Sequence, residues 1–135
     1  MNIDDKRSLS FVRLQNAKEC LSDAKNLLEN NSFKGAANRS YYAVYHAIRA
    51  VLAMDGIDMK HHSGTINEFR RLYIKTGILN PSLSKTIDEL FDIRTSADYD
   101  DFYVVGKEDV AEQVKNAESF VTEIETYLDE LFKNE

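Results

Sequence analysis

The 135-residue sequence predicts an all-α protein, an antiparallel up-and-down bundle of about five helices. Three observations carry the prediction. One proline and five glycines are too few for a many-turned β fold. Apolar residues recur at steps of three and four through every long segment, and no stretch alternates apolar with polar. Short polar clusters punctuate these segments, as helix-to-helix turns do.

The first helix is expected over about Ser8 to Glu29, where Leu14, Ala17, Leu21, Ala24 and Leu28 keep one stripe facing inward. Asn30-Asn31-Ser32 ends it, with Ser32 as the expected N-cap of a second helix that stops at Gly56. Stepped at 100° per residue, this second helix has a broad apolar side of Tyr41, Val44, Tyr45, Ile48, Val51 and Leu52. Its other side mixes Arg39, Tyr42, His46 and Arg49 with Ala43, Ala50 and Ala53. Small residues beside long cationic ones imply a close approach by another helix, a second subunit or an anionic ligand. A central core helix whose arginines snorkel to water is the plainer account.

Thr65 and Glu68 match a capping box and predict a shorter helix from there to Gly77. Asn80-Pro81 reads as an N-cap followed by proline at the first helical position, where its missing N–H costs nothing. In the fourth helix Leu83, Ile87, Leu90, Arg94, Ala97 and Asp98 share one stripe. An arginine on an inward face needs an anion or carbonyl beside it, and Asp98 one turn on is an available partner. Residues 100–106 break the period and predict a loop. A last helix begins near Lys107, with Glu108, Asp109 and Glu112 suited to its positive end. Its seam of Val110, Val114, Ala117, Val121, Ile124, Leu128 and Leu131 has coiled-coil spacing, suited to the bundle or to a partner. The reading is one domain over 1–135, without linker or internal repeat.

A net charge of −6 argues against an open nucleic-acid binder but leaves room for a cationic pocket on an acidic body. Cys20 is the only cysteine, so a disulfide framework is ruled out and an inert buried thiol is expected. No apolar run reaches membrane-spanning length and no signal-peptide pattern opens the chain, which predicts a cytoplasmic protein without membrane partners. There is no glycine-rich phosphate loop and no zinc spacing; adjacent His61 and His62 would point to different sides. Asp98, Asp100 and Asp101 read as a solvated acidic turn. The expectation is therefore no metal and no cofactor.

What remains is a cationic and aromatic set of Arg39, Tyr42, His46 and Arg49 with Arg94 and Tyr99. Facing one cleft, these residues suit a nucleotide or RNA: guanidinium forks hold phosphate and rings stack on bases. His46 could act as an acid–base group near neutral pH, or be a hydrogen-bonded structural histidine.

The succession NRSYYAVYHAIRAVL, HHSG and IRTSADY resembles a HEPN domain over about Ser8 to Leu131. It is most similar to the small stand-alone bacterial and archaeal branch with an R-x-x-A-D-Y signature. The resemblance implies a helical bundle that dimerises. It also implies either metal-independent RNA cleavage through an R-x4-6-H motif or pairing with a small nucleotidyltransferase that acts as antitoxin. Arg94 matches the motif arginine, but Tyr99 stands where the histidine would be. A tyrosine, with its ordinary pKa near 10, is a poor substitute for imidazole at pH 7. The position at which relatives carry a tyrosine modified with AMP is Asp101 here.

The leading expectation is a nucleotide- or RNA-interacting homodimer partnered by a nucleotidyltransferase in a toxin–antitoxin-like pair. Its candidate binding residues are Arg39, Tyr42, His46, Arg49 and Asp98. The alternatives are a diverged endoribonuclease using Arg94 with Tyr99 or His46, and a purely structural interaction module.

Overall fold

The computed structural model describes residues 1–134. Five α-helices follow in order: α1 (Ile3–Glu29), α2 (Phe33–Met54), α3 (His62–Phe69), α4 (Ser82–Tyr99) and α5 (Lys107–Lys133). A π-helical segment, Arg70–Ile74, continues α3. No strand occurs among the described residues, so the bundle is all-α as expected.

Helix α2 is the axis. It packs on α1, α3, α4 and α5, and thirteen of its residues are buried. Its largest contact is with α1, and the chemistry of that contact is small against small. Ser10, Ala17 and Ala24 of α1 and Ala36, Ala43 and Ala50 of α2 are each 0% exposed and recur at steps of seven. Ser10 Oγ donates to the Ala50 carbonyl oxygen at 2.7 Å, which fixes an antiparallel register. That register brings Ala17 level with Ala43 and Ala24 level with Ala36. The close approach expected at the alanines of α2 is thus made by α1 of the same chain, so those alanines offer no surface to a second subunit.

Helix ends follow local chemistry, with three departures from expectation. Helix α1 begins at Ile3 and not near Ser8. Asn2 caps it by accepting the Asp5 amide at 2.8 Å, and the exposed first turns carry no apolar stripe to reveal them. Ser32 holds the N-cap position of α2, but its side chain makes no capping bond; only its carbonyl accepts from Ala36 N–H, at 3.0 Å. The Thr65–Glu68 capping box does not form. Thr65 lies inside α3 with its hydroxyl bonded back to the His61 carbonyl at 2.9 Å, and Glu68 pairs with Arg71. Asn80 does cap α4, accepting the Ser82 amide at 2.9 Å. Gly56 ends α2 at φ +72°, within paired Gly56→Ala53 and Ile57→Leu52 amide–carbonyl bonds that only a residue free of Cβ strain closes readily.

The α5 seam is buried from Val110 to Leu128 and faces α2 and α1, with Phe120 beneath it at 0% exposure. Leu131 is only half-buried. In α4, Leu83, Ile87, Leu90 and Ala97 are buried; Arg94 is partly buried and Asp98 reaches the surface. Residues 100–106 are irregular, with Phe102 and Val104 largely exposed and Val105 tucked into a small core beside Ala36, Ala37 and Val114. No helix among the described residues is long and apolar enough to cross a membrane.

Candidate functional site

Between Arg39 and Ala53 every residue of α2 is buried except along one stripe. Arg39, Tyr42, His46 and Arg49 are partly exposed and recur at three- and four-residue steps, one line along the helix. The end of α4 lies against this line and delivers Arg94. The Arg94 Nη2 donates to the Tyr42 hydroxyl at 3.0 Å, and the guanidinium carbon lies 5.3 Å from the centres of both the Tyr41 and Tyr42 rings. Its Nε sits 3.0 Å from Asp98 Oδ2, an ion pair whose angle does not make a directed hydrogen bond. Tyr42 is flanked from another side by Arg39, at 5.1 Å. Arg39 holds Asn38 Oδ1 through Nε and Nη2, and Asn38 in turn donates to Asp98 at 3.0 Å. The result is a closed belt, Arg39–Asn38–Asp98–Arg94, around the Tyr42 ring.

Further along the stripe, Arg49 shares Asp58 with Arg13 of α1. Arg13 is 5% exposed, its Nη1 donating to the Arg49 carbonyl at 3.2 Å and its Nη2 to Asp58 at 2.9 Å. Burial lowers the Arg13 pKa, while bonding to Arg49 and proximity to Arg13 hold the Asp58 carboxyl below its usual range. Four guanidiniums (Arg13, Arg39, Arg49 and Arg94) therefore share two carboxylates, Asp58 and Asp98. Among the described residues Arg39 has no carboxylate partner; it meets the Asn38 amide oxygen, the Tyr42 ring and, at 3.8 Å, the Cys20 sulfur. Positive charge is concentrated on this face of an acidic protein.

Two imidazoles lie within it. His46 is pushed below its ordinary pKa by burial and then by Arg49, Arg39 and Arg13; its Nδ1 is enclosed without a hydrogen-bond partner. His62, the first residue of α3, stacks on Tyr45 at 4.0 Å, and its Nδ1 meets the Tyr41 hydroxyl at 3.0 Å. Burial, then Arg94 and Arg49, lower its pKa as well. Burial raises the Tyr41 pKa to about 12, so the phenol keeps its proton. With their pKa values lowered below the ordinary histidine value, His46 and His62 are chiefly neutral at pH 7, each keeping one ring N–H.

The structure thus brings Arg39, Tyr42, His46, Arg49, Arg94 and Asp98 onto one face. Tyr99 stands apart: its ring is 5.8 Å from the Arg94 guanidinium carbon, yet it is 74% exposed and extends into solvent. Sequence reasoning missed Arg13, Asp58, His62 and the ring pair Tyr41–Tyr45. His61 and His62 do part, His61 exposed and His62 turned inward. No signal marked His62, since the sequence pattern begins that helix at Thr65 and leaves His62 in the polar turn before it. For Arg13 there was none beyond its position between two small residues of the α1 seam.

Comparison with known proteins agrees with this architecture. Residues 12–127 match the HEPN domain family. A UPF0332 protein of Thermotoga maritima is 36% identical over 129 residues, covering 96% of this chain and 98% of that one. Two proteins of Methanocaldococcus jannaschii, each named "Putative toxin", are 29% identical over 95% of the chain and 31% identical over 87%, covering 86% and 81% of their own lengths. With most of its length matched to one family and to full-length relatives, the chain belongs to the HEPN domain family.

Proposed function

We propose that this HEPN protein is a nucleotide- or RNA-interacting homodimer that works with a small nucleotidyltransferase in a toxin–antitoxin-like pair. The observation that carries the reading is the charge imbalance along the exposed stripe of α2, four guanidiniums against two carboxylates with two largely neutral imidazoles among them. Such a face is completed by an anion, and exposed rings beside it give bases something to stack on. The toxin-like setting draws on the names of the two archaeal relatives. For the dimer, support comes from the family and from exposed Tyr99, Phe102 and Val104, a group of aromatic and apolar side chains at the end of α4 and in the loop after it.

A second reading, metal-independent RNA cleavage, draws on the largely neutral His62 imidazole near Arg94. Tyr99, the sequence candidate for that role, has no hydrogen bond to orient it among the described residues and meets Arg94 only through its ring.

The test is threefold: anisotropy with labelled RNA and ATP, light scattering at tens of micromolar, and co-purification with the product of any neighbouring nucleotidyltransferase gene. Saturable binding that weakens with salt is expected, together with a dimer mass and a stable complex. A monomer that binds neither ligand nor partner would leave the cluster as internal ion pairing.

A further inference from the structure

The α2 stripe is not where this face ends. Helix α4 continues it: Phe91, three residues before Arg94, is 41% exposed and meets the buried Tyr41 ring edge-on at 5.9 Å. Beyond Phe91 a groove opens between α3 and α4. Ser63, Ile66, Asn67 and Arg70 form one wall, and Ile87, Asp88 and Phe91 the other. The floor is aliphatic and the rim polar. Arg70 is clamped across the groove, donating to Asp88 at 2.6 Å and to the Ser84 carbonyl at 3.3 Å, while its Nε is enclosed without a partner. The backbone is unusual at this point. Arg70 begins the π-helical segment, and the Lys75 amide reaches back five residues to the Arg70 carbonyl at 2.9 Å.

We infer that this α3–α4 groove is the base-binding part of the same site, taking a nucleobase against Phe91 while its phosphate lies at Arg94. The inference rests on the nucleotide reading above and assigns that ligand's orientation. Phe91 and Arg94 are separated by about one helical turn, roughly 5 Å along the axis, a span that the sugar of one nucleotide covers. The ring face of Phe91 suits any base. The Asn67 amide and the Asp88 carboxylate stand on opposite walls, and a base edge carries both the donors and the acceptors they need. A purely apolar occupant, such as a leucine side chain, would offer nothing to the Asn67 amide or to the Asp88 lone pairs that Arg70 leaves free.

The experiment is a ladder of probes titrated calorimetrically into the full chain: inorganic phosphate, ribose 5-phosphate, AMP and GMP. Each is repeated with Phe91→Ala and with Phe91→Tyr, which keeps the ring. At least one of the two nucleotides should bind wild type about tenfold or more tightly than ribose 5-phosphate, as stacking of one base provides. Phe91→Ala should bring that ratio to within about twofold while ribose 5-phosphate binding is unchanged, and Phe91→Tyr should restore the ratio. Phosphate and ribose 5-phosphate binding with no advantage for either nucleotide would overturn the groove assignment and leave the cationic cluster standing. A nucleotide advantage that survives Phe91→Ala would place the base elsewhere and overturn it too. Binding of none of the probes would sink both the groove and the nucleotide reading beneath it.

Discussion

Replacing Arg94 with alanine separates a ligand site from a structural ion pair. Removing one member of a buried pair strands the other charge and costs about 3–5 kcal/mol. The geometry here is gentler. Asp98 lies at the surface and keeps the Asn38 amide as a donor at 3.0 Å, so no buried carboxylate is orphaned. The losses are one hydrogen bond to Tyr42, worth about 1 kcal/mol, and contacts with the Tyr41 and Tyr42 rings, worth about 0.5–1 kcal/mol each where partly exposed. The ion pair to Asp98, with side chains 15% and 26% exposed and no directed hydrogen bond, adds about 1 kcal/mol more. One guanidinium serves all of these, so they do not add fully, and a net cost of about 1–2 kcal/mol follows. For a chain of this size the melting temperature should fall by about 4–8 °C, with the helical spectrum intact. Labelled RNA, followed by anisotropy at fixed salt, should bind at least tenfold more weakly, the loss of one charge-assisted contact. Unchanged RNA affinity would remove Arg94 from the site. A fall of more than about 12 °C would show that the reasoning about Asp98 is wrong and that Arg94 is a core strut.

Further outcomes follow from the same geometry. His46 and His62 have folded pKa values depressed below 6.5, so the neutral forms stabilise the fold fully above that pH and stability declines as pH falls through it. Melting temperature should drop between pH 7.5 and 5.5, before the carboxylates titrate, and His46→Gln should flatten the slope. Burial raises the Cys20 thiol pKa; Ellman's reagent should react slowly with native protein and immediately in guanidinium, and rapid native labelling would contradict the packing around Arg39. Phe120→Ala, at a position 0% exposed against Phe69, should cost about 3–5 kcal/mol by chemical denaturation without touching the cationic face.

The fold was legible in the sequence because burial in a helical bundle writes itself as period. The stripes of α2, α4 and α5 were readable residue by residue, and Gly56 and Asn80 marked ends through their own chemistry. Local motifs fared less well where a side chain had two uses. Thr65 can cap a helix or bond back to the preceding turn, and it does the second because α3 begins three residues earlier. The α2 half of the candidate site was visible as cationic residues on an otherwise apolar helix. Arg13 and His62 were not, since each joins the cluster only through tertiary packing. The register of α1 against α2 places one, and stacking on Tyr45 places the other. The alanines left open who approaches them, for a sequence shows that a surface is small but not which of a helix, a second subunit or a ligand fills it.

The seven-residue seam of small side chains between α1 and α2 also bears on how the chain folds in time. Only three residues, 30–32, separate the two helices, so the largest helix–helix contact among the described residues closes the shortest of the connections between α-helices. Contacts of low sequence separation form early because little chain entropy must be lost to make them. The α1–α2 hairpin should therefore be the nucleus onto which α4 and α5 condense. In stopped-flow experiments Ala43→Gly should slow refolding while leaving unfolding nearly unchanged, whereas Val121→Ala in α5 should chiefly speed unfolding. The reverse pattern would mean that the long-range docking of α5 comes first and the hairpin sets only afterwards.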